Sequence, residues 1–387
     1  MKLPPQPWLE TSGARRVFEA LDAAGGHVRV VGGAVRDALL GLPVSDVDLA
    51  TDWRPQDVVR RLQAGGIKAI PTGIAHGTVT AVVDGEVIEV TTLRRDVATD
   101  GRHAEVAFSD DWREDAARRD FTINALYADP LTRQISDYFG GLDDLDKRLV
   151  RFIGDPATRI AEDHLRILRF FRFHARFGTG DPDVEGLAAC AARANDRMAV
   201  SRERIRDELS KLLIVADPVP VVRVMLDAEI LAPVLPEARD VDRLERLVAT
   251  ETARSVEPSW LRRLAALLTG EPEQFASVAA RFKLSNVGRR RFIGMATPAG
   301  PDSLAEAYWD GAVTVTDRLL LAGAPAAALD ALTGWTRPVL PISGRNLIAR
   351  GLVPGPEVSH KLSLVEREWV AAGFPSDLTP LIDRVLA

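Results

Sequence analysis

One cysteine, Cys190, stands in a chain of 387 residues. That excludes an internal disulfide and any cysteine-rich zinc site, and it fits a reducing compartment, expected to be the cytoplasm. Long apolar runs are absent, since arginine or aspartate interrupts each one, so no membrane span is expected. Met1 to Glu10 carries prolines and one lysine but no apolar stretch, which excludes a secretory signal at this end. Internal repeats and low-complexity tracts are missing too. The net charge of −6 offers no general attraction for phosphate. Binding depends on where charges sit, however, and arginines cluster locally, as at Arg289–Arg290–Arg291, so nucleic acid stays open as a partner.

What is present is an ordinary globular composition, 46% hydrophobic and 27% charged. At this length about two to four substructures are expected. Val28–Val31 is a β-branched run ending at Gly32–Gly33, and Ala34 to Leu40 reads as a helix closed by Gly41. Val47–Ala50 reads as a second strand, and 55–63 as a helix with Pro55 at its start. Thr78–Val83 and Glu86–Thr92 alternate around Asp84–Gly85, a hairpin signal. Beyond Asp155–Pro156 strand signals vanish. Helices are expected at 157–178, 185–198, 201–215 and 218–230, then repeatedly to 372. The fold class is therefore an α+β head followed by an all-α remainder.

Four constellations can carry chemistry. The first is Gly32–Gly33–Ala34–Val35–Arg36–Asp37, where a glycine pair between strand and helix lets backbone approach a phosphate, and Arg36 could add charge-assisted contacts. An ordinary glycine turn has the same look, and the spacing is not that of a dinucleotide fold. The second is Asp46–Val47–Asp48. Residues two apart on a strand share a face, and paired carboxylates favour a cation such as Mg²⁺ between them. A solvated acidic turn is the plain alternative. Glu89, on the adjacent hairpin strand, is either a third acid near the metal or a solvent-facing residue.

The third is Arg118–Arg119–Asp120–Phe121–Thr122–Ile123–Asn124, which could hold a triphosphate or simply start a helix. The fourth runs from Glu162 to Arg172. At 100° per residue, Asp163, Arg166 and Arg169 fall within about 120° of one another, while Leu165, Ile167, Leu168, Phe170 and Phe171 cover much of the rest. Buried arginines need partners. A carboxylate beside a guanidinium could read a nucleobase edge, or could be an internal Asp163–Arg166 ion pair.

Taken in order, Gly-Gly-x-Val-Arg-Asp, Asp-x-Asp, Arg-Arg-Asp-Phe-Thr-x-Asn and Glu-Asp-x-x-Arg-x-x-Arg-x-x-Arg resemble the bacterial-type CCA-adding enzyme and poly(A) polymerase family. The resemblance is dense over 28–178, thin over 179–335, and returns near Pro341–His360. It implies a nucleotidyltransferase head related to DNA polymerase β over 1–150. A helical neck bearing a nucleobase-reading helix would follow over 151–215, a helical body over 216–337 and a helical tail over 338–387. It further implies that Gly32, Gly33 and Arg36 approach the triphosphate, that Asp46 and Asp48 hold Mg²⁺, with Glu89 beside them, and that Arg119 contacts the nucleotide. Asp163 and Arg166 would pair with the incoming base, with Arg169 and Arg172 close by. Ser201–Arg206 would brace head against neck.

The implied activity is template-independent addition of C, C and A to the tRNA 3′ end from CTP and ATP by two-metal chemistry, the metals activating the 3′-hydroxyl and the leaving pyrophosphate. The stretch from Leu93 to His103 resembles the flexible loop of full CCA adders. No His-Asp dipeptide occurs, so the phosphohydrolase activity of some relatives is not expected. Poly(A) or partial CCA addition are the alternatives within the family. Outside it stand a non-catalytic RNA-binding protein and a small-molecule nucleotidyltransferase. The Asp46/Asp48 pair disfavours the first, and the long helical remainder the second.

Overall fold

The computed structural model describes residues 1–99, 104–195 and 200–387. The described chain forms two compact units, Met1–Val234 and Leu235–Ala387. Nine strands lie in the first: β1 Val28–Val31, β2 Asp48–Thr51, β3 Lys68–Gly73, β4 Thr78–Val83, β5 Glu86–Thr92, β6 Arg94–Thr99, β7 Ala104–Phe108, β8 Leu126–Ala128 and β9 Ile135–Asp137. Seven of them make one mixed sheet in the order β3-β4-β5-β2-β1-β8-β9, and β6 and β7 form a separate ribbon. The β4–β5 turn is the expected one, with Asp84 at φ +52° and Gly85 at φ +82°, the paired positive dihedrals that match strand twist. Residues 100–103, the tip of the loop expected at Leu93 to His103, lie outside the described residues.

Helices of the first unit are α1 Ser12–Ala20, α2 Gly33–Leu39, α3 Pro55–Ala64, α4 Trp112–Ala117, α5 Gly141–Asp146, α6 Pro156–Glu162, α7 Leu165–Phe177, α8 Val184–Arg193, α9 Arg202–Leu213 and α10 Val219–Asp227. α1 and α3 pack on the β3–β5 end of the sheet, and α2 on β1 and β8. An aromatic core joins α7 to the segments around Phe121 and Phe152: Phe121 lies 5.0 Å from Phe152 and 5.2 Å from Phe173, and Phe152 stacks on Phe170 at 5.3 Å. All four rings are buried. That packing seats α7 against the head, and α9 packs along α7.

The single helix expected over 157–178 is two. Asp163 adopts φ −152° and ψ 106°, extended backbone that ends α6, and its Oδ1 accepts from the Leu165 backbone N–H at 3.0 Å at the start of α7. Apolar periodicity survives the break, so the sequence pattern hid it. Likewise β2 starts at Asp48 rather than Val47, and Asp46 precedes the strand instead of sharing its face.

The second unit is helical throughout its described elements, which run from Asp242–Ala253 to Thr379–Leu386. Buried Glu251 and Asp317 tie its helices together by accepting from Arg262 at 2.7 and 2.9 Å; Glu251 also takes Arg263, and Asp317 takes Arg291. Arg291 is thus engaged internally, which leaves Arg289 and Arg290 as the exposed pair of that basic cluster. No helix among the described residues is long and apolar enough to cross a membrane.

Candidate active site

A cleft of about 670 Å³ opens where the head meets α7 and α9. Ten of the residues singled out by sequence, Gly32, Gly33, Arg36, Asp46, Asp48, Arg119, Asp163, Arg166, Arg169 and Arg172, line this one cavity. Glu89 is outside its lining but stands in register with Asp48, because β5 runs parallel to β2.

At one end the β1 strand delivers Gly32 with φ +73°, a conformation that favours glycine. A side chain there would also press toward Arg119, whose Nη1 lies 3.4 Å from the missing Cβ. Arg36 lines the cleft with its guanidinium engaged: Nε donates to Asp37 at 2.8 Å, Nη1 donates to Asn124 Oδ1, and the Phe177 ring lies 4.0 Å away. Burial pushes Arg36 below the usual arginine value, with Asp37 opposing. Arg119 is fixed by Tyr127 and Asp115, donating from Nε to the phenol oxygen at 3.0 Å and from Nη2 to the carboxylate at 3.2 Å. Tyr127 in turn donates to Asp115 at 2.7 Å. Burial lowers the Arg119 pKa, but Tyr127 and Asp115 outweigh it, so the group stays cationic.

The acids differ from these arginines in having almost no partners. Asp46 accepts from Ser45 Oγ at 2.9 Å, whereas Asp48 and Glu89 accept no hydrogen bond among the described residues. Asp48 stays open to the water of the cleft, yet loss of solvation raises its carboxyl above the usual carboxylate range. Glu89 adds to the shift, Arg119 opposes it, and Asp46 contributes a further increment. Adjacent carboxylates in this state are a cation-binding arrangement. Among the described residues no three such side chains converge on one point.

At the other end the base-reading candidates are held separately. The Asp163–Arg166 ion pair is not formed. Asp163 Oδ2 accepts from Arg204 Nη2 at 2.7 Å, while Arg166 pairs with Glu162 and donates to the carbonyls of Arg159 at 2.8 Å and Arg118 at 3.3 Å. Arg169 grips Asp120 Oδ2 through Nε at 2.8 Å and Nη2 at 2.6 Å. Asp120 is buried, a cost outweighed by Arg169 and Asn124, which hold its carboxyl below the usual range. Arg172 donates to Glu208 on α9.

As site residues Arg204 and Glu208 escaped the sequence reasoning, which had Arg204 only within the Ser201–Arg206 brace. Glu208 had a legible signal, for it falls on the apolar stripe of Ile205, Leu209 and Leu212 and is itself buried. An acid on a buried stripe needs a cation. Arg204 had no such signal, because it is exposed and its partner lies 41 residues away.

An acid-bearing mixed sheet thus faces an arginine-lined helix across one cleft. The pattern of the poly A polymerase head domain matches residues 28–151, and that of the probable RNA and SrmB-binding site of polymerase A matches 185–241. A human protein named CCA tRNA nucleotidyltransferase 1, mitochondrial, is 32% identical over 97% of this chain and 90% of its own length. A CCA-adding enzyme from Lactobacillus helveticus is 32% identical over 96% of each chain. The crystal structure of a Bacillus stearothermophilus CCA-adding enzyme in complex with CTP superposes with a TM-score of 0.76 at 26% identity, covering 97% of this chain and 98% of that one. The chain belongs to the CCA-adding enzyme and poly(A) polymerase family.

Proposed function

We propose that the protein adds C, C and A to the 3′ end of tRNA without a nucleic-acid template, consuming CTP and ATP and releasing pyrophosphate. The observation that carries this is the single cleft joining an acid pair on the head to Asp163 and Arg166 on the neck. Chemistry and base choice then occur on one bound nucleotide. The names of the human and Lactobacillus relatives and the CTP in the Bacillus structure support the same substrates. The stretch from Leu93 to His103 favours full CCA addition over partial or poly(A) addition. The test is incubation of tRNA lacking its 3′ end with CTP alone, ATP alone, then both. Growth by two residues with CTP and a third only with both supports the proposal, and repeated A addition from ATP alone supports poly(A) synthesis.

Each side chain has a defined task in this reading. Gly32 and Gly33 let the backbone approach the triphosphate beside Arg36, Arg119 contacts the bound nucleotide, and Arg172 lies close to the base. Asp163 and Arg166 meet the base edge, and Arg169 fastens the helix to Asp120. Nucleotidyltransferases of this family depend on a divalent metal; Asp46 and Asp48 would hold Mg²⁺, with Glu89 alongside. When bound, Mg²⁺ supplies Lewis-acid activation of the 3′-hydroxyl and neutralises charge on the departing pyrophosphate. Otherwise the protein contributes positioning and fixed charge. The division into head, neck, body and tail at 150, 215 and 337 belongs to the same proposal. A buried, unpaired Cys190 supports a reducing location such as the cytoplasm.

Two expectations follow from the charges. Mg²⁺ binds the ionised carboxylate, so affinity measured by calorimetry should fall as pH drops through the raised pKa of Asp48. Glu89→Gln removes a like charge, lowers that pKa, and should carry the fall to lower pH. If the midpoint stays put while overall affinity drops, Glu89 is instead a direct ligand. Binding of tRNA should weaken with salt despite the net charge of −6, log K falling linearly with log salt as phosphates release counterions. A flat profile would show that no basic face meets RNA.

A further inference from the structure

A second cleft, of about 600 Å³, lies beside the first. It is lined by Arg172 and Arg176 of α7, Lys211 of α9, and Ile214, Val215 and Asp217 of the segment beyond. Arg172 and Lys211 line both cavities. The link runs from the glycine-turn end of the main cleft. The Phe177 ring has Arg36 4.0 Å away and Arg176 5.0 Å away, and Asp37, next to Arg36, comes within 3.7 Å of Arg176. Cations thus continue from the place assigned to the triphosphate into a neighbouring cavity.

We propose that this second cleft is an anion subsite for inorganic pyrophosphate on its way out. The inference rests on the proposed nucleotide addition. In that step the RNA 3′-oxygen bonds to the α-phosphorus and the bond from that phosphorus to the bridging oxygen breaks. Pyrophosphate leaves with the electron pair, and the hydroxyl proton passes to solvent. A polyanion released into an arginine-lined cleft leaves slowly unless another cationic surface adjoins it. Arg176 is half exposed, its only acid contact is the long one to Asp37, and Lys211 has no acid partner among the described residues. With Arg172 already paired to Glu208, Arg176 and Lys211 against one lining acid, Asp217, leave the cavity a positive balance. Its lining includes no aromatic ring, and single-stranded RNA is ordinarily held by stacking on such rings, so the free polyphosphate is the better occupant.

The experiment is inhibition of CTP incorporation into truncated tRNA by inorganic pyrophosphate, with Mg²⁺ in excess, at rising CTP. Pyrophosphate bound only in the main cleft competes with CTP and is displaced at saturation, whereas a second subsite leaves residual inhibition. Arg176→Gln should raise the half-inhibitory pyrophosphate concentration of that residual part by about fivefold, as one charge-assisted contact is lost. Asp217→Asn, which keeps the oxygen that accepts from Val219 N–H, should lower it by about twofold as a repulsive charge goes. KM for CTP and for tRNA should stay within about twofold in both variants, as neither side chain lines the main cleft. Purely competitive inhibition in the wild-type protein would overturn the subsite. So would a rise in the KM for tRNA in Arg176→Gln, which would assign the cleft to RNA. Should the wild-type protein add no nucleotide, the activity itself fails; calorimetric titration of pyrophosphate into CTP-loaded protein then still decides whether the subsite exists.

Discussion

Asp48→Ala should reduce nucleotide addition by at least about a thousandfold, the factor that roughly 4 kcal/mol of lost transition-state stabilisation gives. Asp46→Ala should act alike, and tRNA affinity should change by no more than about threefold, since neither acid attracts phosphate. A second effect separates a functional acid from a structural one. The raised pKa of Asp48 means that the folded protein holds its proton more tightly than the unfolded chain. Between the ordinary carboxylate pKa and the raised one the folded state binds more protons, so stability falls as pH rises through that window. At neutral pH the ionised Asp48 therefore opposes folding, and removing it should leave the melting temperature unchanged or higher while activity vanishes. Initial rates in Mg²⁺ and a thermal melt of each variant check both halves. Substantial turnover by either alanine variant would remove these carboxylates from the metal site. A large loss of stability with Asp48→Ala would make the acid part of the scaffold.

Local chemistry decided what could be read in advance. β1, β4 and β5 were legible because β-branched residues alternate between clear turns. The Asp84–Gly85 turn needed only its own dihedrals. β3 was hidden by Pro71 and Gly73, and β8 and β9, three residues each, exist because neighbouring strands pair with them. The parallel pairing that sets Glu89 beside Asp48 crosses the whole β3–β4 excursion, which no local pattern records. Among site residues, the glycine turn, the acid pair and the arginine ladder stood out by residue type and spacing. Their anchors did not: Arg204 and Glu208 act through partners 41 and 36 residues away, and Asp115 and Tyr127, though near Arg119 in sequence, carry no spacing that marks them as its holders. The break at Asp163 illustrates the limit: apolar residues keep helical period on both sides, and one aspartate capping the next helix changes which direction the carboxylate faces.

That break bears on how the base is chosen, and Asp163→Ala should relax selection rather than abolish catalysis. Asp163 would accept from the exocyclic amino group shared by cytosine and adenine, and Arg166 would donate to ring acceptors. Guanine and uracil present a carbonyl where the amino group stands, so the carboxylate faces an acceptor and discriminates against them. A site built for a fitted hydrogen bond can reject analogues by about 10⁴-fold. With Asp163 removed, UTP or GTP should enter at rates within about tenfold of CTP, whereas Arg166→Ala should weaken C and A incorporation alike. The structure adds a graded version of the test, because the carboxylate is held from behind by Arg204 and the guanidinium by Glu162. Arg204→Ala keeps the reading group and loosens it, so its loss of discrimination should lie between wild type and Asp163→Ala. Arg204→Lys should restore part of it. In the double variant Asp163→Ala/Arg204→Ala, removing Arg204 should have no further effect on selection, since the group it positions is gone. Primer extension on truncated tRNA with each nucleotide separately measures all of these. If Asp163→Ala retains wild-type preference, the carboxylate serves only as a partner for Arg204 and a cap for α7, and base choice must come from elsewhere in the cleft.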